Sequence, residues 1–404
     1  MTYQQMKKDR NLNRDRLDFA NDNIGPMFRS LFFPTLIGMI FNSALTVIDG
    51  IFVGRGVGTE GIAAVNIVAP VFMVITGIGL MFGIGASVIA SIRLSENKVK
   101  VARIIMTQAF IVGLLIVWVI GLGSFVCPRG VVHALGCSPL LEENAVSYLL
   151  WLLPGLFFLF VECVGMMLIR LDGAPKYAMT IQIVAAVVNI VLYWYMVFPL
   201  GWGVMGAALA TSIAGAVGGT MVFAYFFRFA DKLRFYPLKR TVTSLLLTLR
   251  NTGYMVRIGF ATFLTELAMS VMMLTGNYMF ISMLGEEGVA AFAIACYLFP
   301  VVFSISNAVA QSAQPIISFN YGAHLLHRVS RALSISVQSV EKAMASIVYT
   351  LLRGILFLVP CFGLLPRAFG VPGLWLAIPA AELLTCAVIY ITYIRHKIID
   401  TWIS

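Results

Sequence analysis

Long apolar runs alternate with short polar connections along the chain. Two of these runs, Ile62–Ser91 and Ile104–Val126, contain no charged residue, and a helix of about 20 apolar residues crosses a bilayer. The pattern predicts ten membrane-spanning segments: 31–53, 62–91, 104–126, 145–169, 177–198, 203–227, 258–283, 289–317, 345–365 and 372–394. It therefore predicts an all-α, polytopic membrane protein.

Composition narrows the function classes. The 404 residues are 60% apolar and 11% charged, with a mean hydropathy of +0.92, whereas soluble domains are about 45–50% apolar and about 25% charged. A soluble enzyme, a secreted disulfide scaffold and a disordered chain are all disfavoured. The sequence contains neither a P-loop nor a His-Glu-x-x-His motif, so we predict neither an ATP-driven pump nor a zinc hydrolase, and no enzyme.

The six cysteines form no Cys-x-x-Cys pair, so the sequence supports neither a metal site nor a redox motif. Cys127 and Cys137 share one connection and could pair if that connection faces an oxidising compartment. Two free thiols are the favoured interpretation, because the chain has no disulfide framework.

Basic residues fall on one side of the predicted membrane. If the polar leader 1–23 is cytoplasmic, 25 of the 28 Lys and Arg residues lie on the cytoplasmic side, and Arg55, Arg129 and Arg367 lie outside. This asymmetry follows the positive-inside rule and predicts cytoplasmic N- and C-termini. The net charge of +10 thus reflects topology, and we predict no nucleic-acid partner, since no basic face with interleaved aromatics is present.

An internal repeat relates the two parts of the chain. The segment Gly58–Val65 matches Gly285–Phe292 at an offset of 227, and Val101–Arg103 matches Val329–Arg331 at an offset of 228. Both copies lie at corresponding ends of spans that run in the same direction. The matches predict a parallel repeat related by an axis along the membrane normal, a known transporter design.

The offset then falls, to 166 where Lys176 matches Lys342 and to 167 where Gly203 matches Gly370. Two helices are therefore predicted to be missing between Leu333 and Lys342. The segment 332–340 is too short to span the membrane and is predicted to be a turn or an interfacial helix.

The predicted organisation is thus six helices plus four. It comprises a leader (1–23), an N-lobe (24–228), a cytoplasmic inter-lobe linker (229–257) and a truncated C-lobe (258–404).

Five ionisable residues lie within predicted spans: Asp49, Glu162, Glu266, Arg353 and Glu382. Each carries a cost of at least about 2.5–3.5 kcal/mol at mid-helix. Asp49 could hold a proton or a sodium ion, or it could be an interface acid that reaches the outer surface. Each glutamate could attract an organic cation in a central cavity, or make a helix–helix hydrogen bond as the neutral acid. Arg353 could pair with one of these acids or reach the inner face.

Two further patterns have alternative readings. Tyr193, Trp194 and Tyr195 form an aromatic cluster that could bind a bulky cation through its ring faces, whereas tryptophans near span ends are typical interfacial anchors. The glycine-rich run Gly77–Gly85 resembles a nucleotide loop but lies inside an apolar span with no strand before it, so close helix packing is the favoured interpretation.

These residues resemble the multidrug and toxic-compound extrusion (MATE) family over nearly the whole chain outside the gap. No single motif is diagnostic, but their order and spacing together are specific. The matching segments are Asp49–Gly54, Gly61–Asn66, Arg170–Lys176, Gly206–Thr211, Gln314–Ala323 and Gly373–Ala377.

The resemblance implies two lobes that rock around a central cavity and export cationic or amphiphilic compounds against inward protons or sodium. It places the coupling-cation site at Asp49, Asn189 and Thr211, and a C-lobe acid at Glu266. Tyr193 stands where the family's fifth helix has a second acid, so a proton relay through Asp49 fits better than a two-acid sodium site. The missing helices correspond to the family's ninth and tenth.

The expected partners are small organic cations and membrane lipid. We expect a monomer in a bacterial-type cytoplasmic (inner) membrane, with an ion gradient and no cofactor. Two alternatives stay open: a flippase for lipid-linked saccharides, which would favour cationic residues around the cavity, and an inactive deletion product. A receptor or structural membrane protein gives no reason for the repeat.

Overall fold

The computed structural model describes residues 17–238, 241–296, 299–336 and 356–403, and within these ranges every regular element is helical. The helices are α1 (Ile24–Gly56), α2 (Thr59–Ser95), α3 (Val99–Val126), α4 (Pro128–Ala134), α5 (Glu142–Leu171), α6 (Pro175–Val197), α7 (Gly203–Ala224), α8 (Val242–Cys296), α9 (Phe299–Gly322), α10 (Leu326–Ser336), α11 (Leu358–Phe369) and α12 (Val371–Ile403). A π-helical turn, Tyr225–Phe229, follows α7.

The predicted all-α, polytopic membrane fold is confirmed. Within the described ranges, eight helices are long and apolar enough to cross a membrane. Each of the six predicted N-lobe spans falls in one long helix among α1, α2, α3, α5, α6 and α7. The orientation of the termini remains a prediction.

The first C-lobe element, α8, is one long helix with a sharp bend. Its helical backbone begins at Val242, inside the segment predicted as the inter-lobe linker, and is interrupted at Gly285, where φ is 66° and ψ is −157°. Gly58, the equivalent position of the repeat, has φ 94° and ψ −168° before α2. Only glycine adopts this region of backbone space readily, so both copies of the repeat place a glycine at the same kind of outer bend.

Helix α2 lies at the centre of the molecule and packs against α3, α5, α8 and α9. Glycine allows the backbones to approach closely. A Cβ added at Gly79 would lie 2.7 Å from the Cβ of Cys163 on α5, and one at Gly85 would overlap the backbone of Met255 on α8. The close-packing interpretation of the Gly77–Gly85 run is therefore supported, and one continuous apolar core joins both lobes.

Several sequence predictions concern residues outside the described ranges. Lys342 and Arg353 fall in the stretch 337–355, as does the end of the predicted interfacial segment 332–340. The described part of that segment lies in the short helix α10. The two-helix gap itself therefore stays a prediction. Cys127 is exposed, Cys137 is buried, and both are free thiols.

Candidate functional site

The predicted N-lobe pair is assembled by the packing of α1 against α6. The side-chain amide of Asn189 donates from Nδ2 to Oδ2 of Asp49 at 3.5 Å, a long and therefore weak hydrogen bond. Asp49 Oδ1 and Asn189 Oδ1 are both buried, and neither has a hydrogen-bond partner among the described residues. Two adjacent buried acceptors without donors can receive a proton or contact a small cation.

The other predicted members lie around this pair in different ways. The Thr211 hydroxyl is partly buried and donates to the carbonyl of Ala207 within α7 at 3.1 Å. Tyr193 is buried, and its ring centroid lies 6.1 Å from that of Phe52. Phe52 in turn makes an edge contact with Phe198 at 5.7 Å. These rings lie on the outer side of Asp49, so Tyr193 takes part in closing the site outward.

The rest of the aromatic cluster faces away. Trp194 and Tyr195 have 53% and 50% of their surface exposed, so their rings lie on the outside of the bundle. Exposed aromatic rings near the end of a span are typical of interfacial anchors. Of the three aromatics in the cluster, Tyr193 is the one inside the N-lobe.

Glu162 lies where α5, α6 and α7 meet. A Cβ added at Gly218 on α7 would lie 2.8 Å from Glu162 Oε2 and 3.5 Å from the Cβ of Ala185 on α6. The carboxylate is therefore inside the N-lobe, about one helical turn from Asn189 along α6. It is partly accessible and lies apart from the contact between the lobes.

Glu266 lies at the junction of the two lobes. A Cβ added at Gly77 on α2 would lie 2.9 Å from the Cβ of Glu266 and 3.2 Å from the ring of Phe263. Both Glu266 and Glu162 act electrostatically on the thiol of Cys163, so the two acids flank the same part of α5. Glu266 is the carboxylate that the structure places between the lobes at the level of the α2 glycines.

Glu382 is not brought to this region. Its side chain is exposed on α12. Among the predicted site residues, the structure thus joins Asp49 to Asn189, places Tyr193, Thr211 and Glu162 in the same lobe, and puts Glu266 at the lobe junction.

Sequence reasoning missed several buried polar residues. Asn66 and Asn277 join the lobes: Asn66 Nδ2 donates to Asn277 Oδ1 at 2.7 Å, and Asn277 Nδ2 donates to the Asn66 carbonyl at 3.3 Å. Arg170, counted in the sequence only as a cytoplasmic charge, is 2% exposed and donates to Gln311 Oε1 at 2.6 Å. Polar side chains within apolar spans were the available signal, but their helical face is not evident from the sequence.

The family comparison matches both lobes. The MatE family model matches residues 34–195 and 261–367, which include Asp49, Asn189 and Glu266. The chain belongs to the MATE family. Members of this family are transporters and not enzymes, which confirms the recognition and the absence of an enzyme class. Thr211 lies between the two matched segments.

Curated MATE relatives are multidrug export proteins called MepA. The chain is 25% identical to MepA of Staphylococcus saprophyticus over 293 residues, which cover 70% of the chain and 63% of that relative. It is 23% identical to MepA of Staphylococcus aureus strain NCTC 8325 over 341 residues, covering 81% of the chain and 72% of the relative. The match thus spans less than two thirds of the first relative.

Solved MATE structures share the fold. The MATE multidrug transporter DinF-BH, solved in complex with a cationic dye, superposes with a TM-score of 0.80 at 25% identity, covering 95% of this chain and 98% of that one. A MOP-superfamily transporter from Pyrococcus furiosus, described as having a binding pocket of reverse polarity, gives a TM-score of 0.73 at 21% identity with coverages of 92% and 95%. The latter comparison shows the fold alone.

Proposed function

We propose that the protein exports cationic, amphiphilic compounds across a bacterial cytoplasmic membrane in exchange for protons, acting as a monomer surrounded by lipid. The observation that carries the proposal is the buried Asp49–Asn189 pair, with one unpartnered oxygen on each side chain. An ionised carboxylate at membrane depth costs at least about 2.5–3.5 kcal/mol. A carboxylate held there without a cationic partner is suited to take up and release a proton.

The donor set favours protons over sodium as the coupling ion. Asp49 supplies one carboxylate, and Asn189 supplies one amide oxygen. Tyr193 occupies the position where a second acid would complete a two-acid site, and its ring packs on Phe52. A single carboxylate needs only one proton to become neutral, whereas a bare cation requires several oxygen ligands.

Glu266 has the complementary role toward substrate. It lies between the lobes beside the α2 glycines, where it can attract an organic cation, and Asp49 lies within the N-lobe. In the proposed cycle, release of the proton from Asp49 favours the state that binds the cation, and protonation favours its release. Each ligand shifts the population of the two lobe arrangements through its different affinity for them.

Names of the relatives support the substrate class. MepA is a multidrug export protein, and DinF-BH was solved in complex with a cationic dye. A lipid-linked saccharide flippase would use cationic groups in the cavity. Arg170, a buried cation at the lobe junction, is already engaged with Gln311 and with the sulfur of Met167, so the carboxylate Glu266 better fits an organic cation.

The test is dye transport by the 404-residue chain in everted vesicles with an imposed proton or sodium gradient. We expect gradient-dependent ethidium transport with protons, and its loss in Asp49→Asn, which preserves side-chain shape and removes the ionisable group. No transport by well-inserted protein, with recovery after a two-helix insert is placed after Leu333, would identify a disabled transporter and contradict the proposal. Transport driven by sodium alone would contradict the choice of ion.

A further inference from the structure

Unpartnered polar oxygens continue from Asp49 toward the cytoplasmic ends of α1 and α6. Thr35 Oγ1 on α1 and Gln182 Oε1 on α6 are buried, and neither has a hydrogen-bond partner within the described part of the chain. Together with Asp49 Oδ1 and Asn189 Oδ1, they give four buried oxygens without donors on two neighbouring helices. Native proteins leave few such groups, and those that remain are usually satisfied by water or an ion.

The two helices are parallel and aligned so that these groups face one another. Gly38 on α1 has no side chain, and the carboxamide of Gln182 occupies the space that a Cβ there would need, with its Cδ 3.0 Å away. Asp49 and Asn189 meet further outward in the same interface. Gln182 precedes Asn189 by seven residues, which is about 10 Å along the helix.

Glu162 enters this interval from α5. Its Oε2 and the Cβ of Ala185 both lie within contact distance of one point, the Cβ position of Gly218. Ala185 is four residues before Asn189 and three after Gln182, so the carboxylate lies at a height between them. An acid therefore stands between the outer pair and the inner amide.

The outer end of the same interface is closed by aromatic rings. Tyr193 packs on Phe52, and Phe52 on Phe198, with centroid distances of 6.1 and 5.7 Å. Apolar rings give no hydrogen-bonded route outward from Asp49. The polar groups lie on the cytoplasmic side alone, which gives the interface a direction.

We propose that the α1–α6 interface below Asp49 is a hydrated proton path to the cytoplasm, lined by Glu162, Gln182 and Thr35; this inference rests on the proposed function. The proton leaves the carboxyl group of Asp49 for a hydrogen-bonded water. Glu162 accepts a proton on one side and returns one on the other. A proton enters the cytoplasm, and Asp49 is left ionised.

The test follows hydrogen–deuterium exchange of the Asp49 carboxylic acid by infrared spectroscopy. The full chain is solubilised at acidic pH, and the C=O band lost in Asp49→Asn is assigned to this residue. On transfer into heavy water, we expect exchange of that band to be at least tenfold slower in Gln182→Leu and Glu162→Gln than in the parent. Gly38→Ala displaces the Gln182 amide without removing it, and slower exchange is expected there also.

A matched pair of threonines on α1 provides the control. Thr35→Val removes an unpartnered hydroxyl and should slow exchange, whereas Thr46→Val removes one that donates to the Asn42 carbonyl at 3.2 Å and should not. Ethidium binding to each variant verifies its fold.

The outcomes separate the two proposals. Absence of any Asp49-dependent band would contradict the proposed function and with it the path. A band that exchanges at the parental rate in the Gln182, Glu162 and Gly38 variants would overturn the path and leave the role of Asp49 intact.

Discussion

At the residue scale, location rather than residue type decides what each intramembrane acid can do. Asp49 is held by one long hydrogen bond from Asn189 inside the N-lobe, and Glu266 lies between the lobes against Gly77. Glu382, also within a predicted span, has an exposed side chain on α12. The account therefore assigns proton exchange to Asp49 and attraction of the organic cation to Glu266.

Replacing Glu266 should weaken dye binding selectively. We expect Glu266→Gln to raise the Kd for ethidium at least fivefold, because the negative charge beside the lobe junction is removed. Glu382→Gln makes the same chemical change on an exposed side chain and should leave the Kd within twofold. Fluorescence polarisation of ethidium with purified protein measures both. Equal effects of the two substitutions would contradict the assignment of Glu266.

The sequence indicates part of the residue-scale picture. Polar residues in apolar spans mark Asp49 and Glu266, and the family resemblance adds Asn189. It does not reveal Gln182, whose role depends on Gly38 being opposite it on another helix. Nor does it reveal the burial of Arg170, because a charge near a span end fits cytoplasmic exposure equally well.

At the element scale, glycines on α2 determine how closely α8 and α5 approach. Cβ positions built at Gly85 and at Gly259 fall on the backbone of the opposite helix, at Met255 and Met81 respectively. A backbone cannot move aside as the end of a flexible side chain can. The crossing of α2 and α8 on the cytoplasmic side therefore depends on these two glycines.

Adding one methyl group at this crossing should destabilise the fold. Gly85→Ala is expected to cost about 1–3 kcal/mol by overpacking and to lower the Tm of the detergent-solubilised protein. Gly123→Ala on α3 is the matched control, since its added Cβ would meet nothing within 4 Å. A Tm for Gly85→Ala equal to that of Gly123→Ala would contradict the close crossing.

The start of the inter-lobe connection is fixed by one carboxylate. Asp172, just after α5, accepts a hydrogen bond from the Tyr225 hydroxyl at 2.8 Å and from the backbone N–H groups of Asp231, Lys232 and Leu233 at 2.9 Å each. Burial raises the pKa of Asp172 above its ordinary range, while these donors act in the opposite direction. The connection is thus attached to the N-lobe before α8 begins.

Loss of this carboxylate should release the connection. In Asp172→Asn the side-chain NH2 faces backbone donors, and leaving a buried group unsatisfied costs about 1–3 kcal/mol. We expect faster tryptic cleavage after Lys232 and Arg234. Glu96→Gln, which removes exposed ion pairs to Arg93 and Lys98, should cleave at the parental rate. Unchanged cleavage of Asp172→Asn would show that the carboxylate does not anchor the connection.

The apolar pattern is sufficient to predict the helices of the N-lobe, since hydropathy reports burial in lipid directly. It is less informative at the lobe boundary. The charged stretch 229–257 indicates a cytoplasmic location, but the helix from Val242 is built by packing on α3, where Gln108 accepts a bond from Asn251 and donates to Thr248. Such contacts join residues distant in sequence and leave no local pattern.

At the scale of the whole molecule, the lobes are joined on the outer side by polar contacts. Ser138 Oγ donates to Glu286 Oε1 at 2.9 Å, and the Tyr278 hydroxyl lies 3.3 and 3.1 Å from the carbonyls of His133 and Ala134. These groups must separate if the cavity is to open outward. The structure therefore represents an arrangement closed on the outer side.

A reversible cross-link across this contact should stop transport. Ser138→Cys combined with Glu286→Cys, in a Cys127→Ser background, is expected to lose at least nine tenths of dye transport on oxidation and to recover it on reduction. Each single variant provides a control for oxidation alone. Full transport by the cross-linked protein would contradict lobe separation on this side.

The repeat and the order of the motifs allow the family fold to be anticipated from sequence. The contact between the lobes could not be, because Asn66 and Asn277 are equally plausible facing any neighbour until the helices are placed. The six-plus-four organisation remains a prediction from the change in repeat offset.

The central claim is that one buried carboxylate, Asp49, links proton and drug. The most direct measurement is proton release on adding ethidium to the purified protein in weakly buffered detergent, followed with a pH-sensitive dye. The account predicts release by the parent and by Glu382→Gln, and none by Asp49→Asn although that variant still binds ethidium. Equal proton release by Asp49→Asn would contradict it.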